Sequence, residues 1–131
     1  MKLVNVVALL AFTLTSYSAQ ASDTSVMKKS LKAWQPIEVS KSGSTLTVVL
    51  DTNQVSETAY DAVISSGACM AIWTNDVPDK YLISVKELHI LNKHKAQGYV
   101  LEQPLKTCNE MGKEQEEKAK IIMLSNTHLF M

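Results

Sequence analysis

Cys69 and Cys108 are the residues with the clearest chemical potential in this chain, and they are its only thiols. A thiol acts as a nucleophile when a histidine stands beside it and activates it. No cysteine-hydrolase motif surrounds Cys69. The alternative chemistry for two cysteines in an oxidising compartment is a disulfide that closes a loop of the chain. The sequence therefore predicts a structural disulfide between Cys69 and Cys108.

The three histidines are the next residues to weigh, because imidazole is a common metal ligand. His89 is expected within a strand, His94 in a loop and His128 near the end of the sequence. This spacing matches no zinc motif, such as two histidines one helical turn apart. We therefore predict neither a metal site nor a cofactor.

Carboxylates and hydroxyls offer no stronger catalytic pattern. Asp76 and Asp79 lack the repeated oxygen ligands and closing glutamate of a calcium loop, and a turn explains both. Ser65 and Ser66 have no glycine two residues before them, so they do not form a nucleophile elbow. We predict no catalytic residue and no enzyme, and a small hydrolase with an unrecognised site remains the weakest alternative.

The charge composition argues against nucleic acid as a partner. The formal net charge is zero, and the thirteen lysines and arginines are all lysines. Arginine is the preferred side chain for bidentate contacts with phosphate and guanine. Its absence therefore weakens any nucleic-acid or phosphate-binding interpretation.

Residues 1–21 have the pattern of a secretory signal peptide. Lys2 supplies a positive start, residues 3–14 are mostly apolar, and residues 19–21 form a small-x-small cleavage site. The apolar run is too short for a membrane span of roughly 20 residues. Cleavage after Ala21 would leave residues 22–131 as a single periplasmic domain without a membrane span.

The elements of this domain predict an α+β fold. We expect a small, mainly antiparallel sheet of about four to five strands, covered by a main helix over residues 56–68 and a short N-terminal helix. Met70–Trp73 is compatible with a continuation of the main helix or with a short buried strand, and Gly67 as a helix stop favours the strand. The remaining expected elements are strands over 45–51, 81–91 with a bulge near Lys86, 99–103 and 121–124, and a charged helix over 110–120.

Two charged loops are the best candidates for contact with a partner. The acidic segment 74–79 reads as an exposed turn, and the basic segment 92–98 as the connection of a hairpin. A tyrosine stands next to each segment. The candidate partner-binding residues are Asn75, Asp76, Asp79, Tyr81, Lys93, His94, Lys95 and Tyr99.

These observations favour a periplasmic binding or inhibitor protein that acts by steric protein recognition. Such a protein would neutralise a cell-wall hydrolase or a toxin delivered by a rival cell, as an immunity protein does. The alternative is a module that binds a small ligand in a pocket between helix and sheet. Trp34, Tyr60 and Trp73 would line that pocket.

Overall fold

The computed structural model describes residues 22–131, so the predicted signal peptide and its cleavage site at Ala21 lie outside the described residues. It confirms the α+β class and the disulfide. The elements in chain order are α1 (Asp23–Ser30), a 3-10 helix (Lys32–Trp34), β1 (Glu38–Ser42), β2 (Thr45–Val49), α2 (Glu57–Ala62), a π-helical segment (Val63–Cys69), α3 (Met70–Trp73), β3 (Glu87–Leu91), β4 (Gly98–Glu102), α4 (Pro104–Met111), α5 (Glu116–Ser125) and β5 (Thr127–Phe130).

The five strands form one mixed sheet in the order β1-β2-β3-β4-β5. Only the pairing of β2 with β3 is parallel, with Thr45 opposite Glu87 and Val49 opposite Leu91. The other three pairings are antiparallel. A parallel pair requires a crossover connection, and the helical residues between β2 and β3 supply it.

The core lies between one face of the sheet and the helices. Leu46 and Val48 of β2 and Leu88 and Ile90 of β3 are fully buried on this face. The helices contribute Met27, Leu31, Tyr60, Val63, Ile64, Ala68, Met111 and Met123 to the same cluster. Because side chains alternate across a strand, residues such as Thr47 and His89 lie on the opposite face, which we call the outer face.

The main helix begins as predicted and continues further than predicted. Ser56 caps α2, its side chain accepting a hydrogen bond from the Ala59 backbone N–H at 3.1 Å. Gly67 does not stop the helix; a Cβ at this position would lie 2.4 Å from Leu31 Cδ2, so glycine allows the N-terminal segment to pack closely. The strand favoured at Met70–Trp73 is wrong, since α3 continues the helix there. A short apolar run has no period that separates strand from helix.

The expected strand over 81–91 is shorter than predicted, and no bulge interrupts it. Residues before Glu87 form successive turns, in which the backbone N–H groups of Tyr81 and Val85 donate to the carbonyls of Pro78 and Leu82. In the sequence, Ile83 and Val85 alternate out of step with Leu88 and Ile90, and this change of step marks the end of the turns. Lys86 lies at the entrance to β3, where its N–H donates to the Ser44 carbonyl at 2.8 Å.

The C-terminal elements also differ from the prediction. Residues 121–124 lie within α5, and the final strand is β5. The charged segment 110–120 is not one helix, because α4 ends at Met111 and α5 begins at Glu116. Pro104 opens α4 at its first turn, where the missing N–H costs the helix nothing.

The disulfide joins the helical crossover to α4. The Cα atoms of Cys69 and Cys108 are 5.1 Å apart, and both side chains are fully buried. The link therefore fixes the end of the π-helical segment to the element that follows the β3–β4 hairpin.

Candidate functional site

Residues 92–97, which join β3 to β4 and are called the hairpin loop below, are anchored at their first residue by a buried amide. Asn92 is 5% exposed. Its Nδ2 donates to the Asn53 carbonyl at 2.9 Å, and its Oδ1 accepts from the backbone N–H groups of Ala96 and Gln97 at 2.9 and 3.1 Å. The Asn92 side chain thus binds the last two residues of the loop and also the segment that follows β2.

Gln97 anchors the other end of the hairpin loop. Its Oε1 accepts from the Val55 N–H at 2.7 Å, and its Nε2 donates to the Val55 carbonyl at 2.9 Å. This pair of bonds satisfies both backbone groups of one residue, as a rung of a sheet would. The Lys93 N–H adds a third connection by donating to the Thr52 carbonyl at 3.0 Å. The hairpin loop is therefore fixed to residues 52–55 at both of its ends.

The tip of the hairpin loop consists of exposed side chains of mainly positive character. Lys93, His94 and Lys95 are exposed. Lys95 has a left-handed backbone with φ of 55°, and its ammonium pairs with the Glu38 carboxylate at 2.8 Å. Ile37 lies at the same end of the sheet, since its N–H donates to the Val49 carbonyl, and it is 56% exposed. This end of the molecule combines a cationic loop with an exposed apolar side chain.

The acidic segment 74–79 lies elsewhere. Asn75, Asp76 and Asp79 are exposed there. Asp79 borders a cleft together with Lys41, near the end of the sheet where β3 begins, whereas the hairpin loop leaves the end where β3 finishes. A strand of five residues separates these ends by about 16 Å. The structure therefore does not bring the two predicted loops together into one surface.

The two tyrosines next to the loops are packing residues. Tyr81 is 3% exposed, and its hydroxyl donates to Met27 Sδ at 3.6 Å. Tyr99 is half-buried and stacks on Tyr60 with ring centroids 4.7 Å apart. Burial raises the pKa of both Tyr60 and Tyr81 above the ordinary value of 10.0. Tyr81 thus belongs to the core and is not part of an exposed edge.

The aromatic pocket expected between helix and sheet is not formed by Trp34, Tyr60 and Trp73. Tyr60 is completely buried, and its hydroxyl is bonded to Thr127 Oγ1 at 2.7 Å. Trp34 packs beside Gly67, whereas Trp73 donates from Nε1 to the Cys108 carbonyl at 2.7 Å. A fully buried ring contributes nothing to the lining of an open pocket.

A cluster of histidines and glutamates on the outer face was not predicted. Glu87 Oε1 lies 3.5 Å from His89 Nε2, and Glu87 Oε2 lies 4.0 Å from His128 Nε2. Glu102 Oε1 lies 3.3 Å from His128 Nδ1. Within residues 22–131, no group of three or more histidine, cysteine or acidic side chains has the geometry to hold a metal ion. The register of β3, β4 and β5 brings these side chains together, and the spacing along the chain gives no sign of it.

No helix among residues 22–131 is long and apolar enough to cross a membrane. No protein-family model matches the chain, and no curated protein or solved structure is significantly similar to it.

Proposed function

We propose that this chain is an exported binding protein that inhibits a partner protein in the periplasm by steric contact, and that the hairpin loop enters the partner's cleft. The single observation that carries the proposal is the anchoring of this loop by the side chains of Asn92 and Gln97. Small exported proteins that act by recognition commonly present exposed loops on a rigid scaffold.

The anchoring bears directly on affinity. Fixing the backbone of a flexible residue costs about 1–2 kcal/mol. A loop that is already fixed in the free protein does not incur that cost again when it binds, so more of its contact energy appears as affinity. The bonds from Asn92 and Gln97 to residues 53–55 and 96–97 meet this requirement.

The charge of the loop tip indicates the kind of partner. Lys93 and His94 are exposed at the same end of the sheet as Ile37, so the complementary surface is an acidic cleft with an apolar rim. Glycoside hydrolases have two carboxylates that flank the scissile bond. A cell-wall hydrolase of this kind fits the loop better than a basic partner does, and opposite charges would raise the association rate.

The disulfide supports the compartment that the proposal requires. Disulfides form and persist in oxidising environments such as the periplasm. The predicted signal peptide over residues 1–21 is the second support for export.

Affinity capture with immobilised residues 22–131 tests the proposal. Extracts of the cell envelope and of competing cells would be passed over the wild-type domain and over two charge-reversal variants, Lys93→Glu in the hairpin loop and Lys118→Glu on the exposed surface of α5. Each variant makes the same change of charge. We expect a hydrolase retained in stoichiometric amount by the wild type and by Lys118→Glu, and lost from Lys93→Glu.

Two results would contradict the proposal. One is equal retention of the same protein by all three baits, which would place the contact outside the loop. The other is the absence of any stoichiometric protein partner from every extract. Matching thermal midpoints of the three baits would show that differences in capture do not arise from unfolding.

A further inference from the structure

A groove between the helical crossover and α5 has features of a ligand site that lies apart from the hairpin loop. It has a volume of about 410 Å³, and it is bordered by Asp61, Ser65 and Trp73 on one side and by Glu116 and Lys120 on the other. This volume is within the range of small-molecule sites.

The polar wall of the groove is already ordered by its own contacts. Ser65 Oγ donates to Asp61 Oδ1 at 2.9 Å, and Lys120 Nζ lies 3.6 Å from Asp61 Oδ2. Ser65 belongs to the π-helical segment, a conformation that is rare and often found at functional sites. Each carboxylate oxygen retains a second acceptor position, and the ammonium retains further donors. The wall therefore offers both donors and acceptors to a ligand.

The aromatic wall of the groove is Trp73, whose indole is also held in place. Trp73 is 37% exposed, and its Nε1 donates to the Cys108 carbonyl at 2.7 Å. Gly112 makes room for the indole, since a Cβ there would lie 2.6 Å from Trp73 Nε1. The neighbouring disulfide fixes the segment on which this tryptophan stands. An ordered, partly exposed indole provides a flat apolar surface for a ring of matching size.

We propose that this groove binds a pyranose unit of a glycan, with the sugar ring against Trp73 and its hydroxyls bonded to Asp61, Ser65 and Lys120. A pyranose has an apolar C–H face and a rim of hydroxyls that both donate and accept, which matches the two walls. A phosphate would be repelled by the carboxylates of Asp61 and Glu116. Among residues 22–131, Lys120 is the only cationic side chain that lines the groove, and it is already paired with Asp61.

Titration with chitotriose, a soluble oligomer of N-acetylglucosamine, and with maltotriose tests this assignment. The chain has two tryptophans, so Trp34→Phe leaves Trp73 as the sole indole reporter. We expect a saturable change in Trp73 emission with at least one oligosaccharide, and NMR shifts confined to the indole N–H and the amides of residues 58–73 and 116–120.

Matched variants separate the groove from general effects of charge. Asp61→Asn removes the central carboxylate, and Asp51→Asn makes the same change at an exposed position outside the groove. We expect Asp61→Asn to weaken binding by about tenfold, as loss of a charged hydrogen bond does, and Asp51→Asn to leave it unchanged. Ser65→Ala, which deletes the hydroxyl that holds Asp61, serves as a second variant if Asp61→Asn does not fold.

The assignment is overturned if neither oligosaccharide gives a saturable change at its solubility limit, or if the two aspartate variants bind equally well. Binding of spermine in place of both sugars would also overturn it, because the groove would then be a cation site. These results leave the function proposed for the hairpin loop untouched, since Lys93→Glu does not alter the groove.

Discussion

At the scale of single residues, the amides of Asn92 and Gln97 are the most consequential side chains that the sequence does not reveal. In a polar loop they resemble ordinary turn formers. The bonds that tie the loop to residues 53–55 join groups 39 and 42 residues apart in the chain, so no local pattern identifies those pairs. The cysteines were predictable because their chemistry and compartment leave few alternatives.

Burial of Tyr60 and Tyr81 predicts a loss of stability at alkaline pH. Their pKa values are raised in the fold, chiefly by desolvation, above the 10.0 of the unfolded chain. Above pH 10.0 the unfolded state loses its phenolic protons while the folded state keeps them. The contribution of the two tyrosines to the free energy of unfolding is therefore complete below pH 10.0 and declines as the pH rises.

We expect each buried tyrosine to lower the free energy of unfolding by about 1.4 kcal/mol per pH unit in this range. Urea unfolding of the wild type and of Tyr81→Phe between about pH 9 and about pH 11 would measure it. Phenylalanine keeps the ring and removes the proton, so the variant should show the shallower decline. Identical slopes for the two proteins would contradict the buried, neutral state of Tyr81.

At the scale of elements, helices and strands were predictable where their patterns were long. The expected helix over 56–68 has apolar residues at helical spacing from Ala59 to Ala68, and the expected strand over 45–51 alternates through Leu46, Val48 and Leu50. Met70–Trp73 and residues 121–124 are short apolar runs, and both lie within helical stretches that begin earlier in the chain. The turns over 81–85 were predicted as strand because Ile83 and Val85 alternate with polar residues, but the structure buries Val85 and leaves Ile83 exposed.

The N-terminal caps of α2 and α5 differ. Ser56 bonds to the Ala59 N–H, whereas Gln115 at the start of α5 makes no capping hydrogen bond from its side chain. We expect Ser56→Ala to lower the free energy of unfolding by about 1 kcal/mol and Gln115→Asp to raise it by about 0.5–1 kcal/mol. Thermal and urea unfolding would measure both, and a destabilising Gln115→Asp would show that α5 does not begin where the structure places it.

At the scale of the whole molecule, the fold class and the disulfide were predictable, but the order and direction of the strands in the sheet were not. Whether β2 pairs parallel or antiparallel with β3 depends on the path of the helical crossover, which the strand sequences do not encode. For the same reason, the sequence does not predict that the two charged loops lie apart or that His89 and His128 come together. These features arise from pairing between segments that are far apart in the chain.

The disulfide makes the largest single contribution to stability that we predict. It spans a sequence separation of 39 residues, and loop closure of that size stabilises a fold by about 4 kcal/mol on the chain-entropy model. Replacing Cys69 and Cys108 together by alanine should lower the free energy of unfolding by about this amount in urea titrations. A loss below about 1 kcal/mol would mean that the unfolded chain is already constrained without the bridge.

The proposed recognition requires that the hairpin loop is held in one conformation before any partner arrives, and native-state hydrogen exchange of its amides measures this. We predict protection of the Ala96 and Gln97 amides by Asn92, and of the Val55 amide by Gln97. Gln97→Ala should abolish the protection at Val55 while the amides of β3 and β4 stay protected. If these loop amides in the wild type exchange as fast as those of an unstructured peptide, the loop is not preorganised and the proposed mode of recognition is wrong.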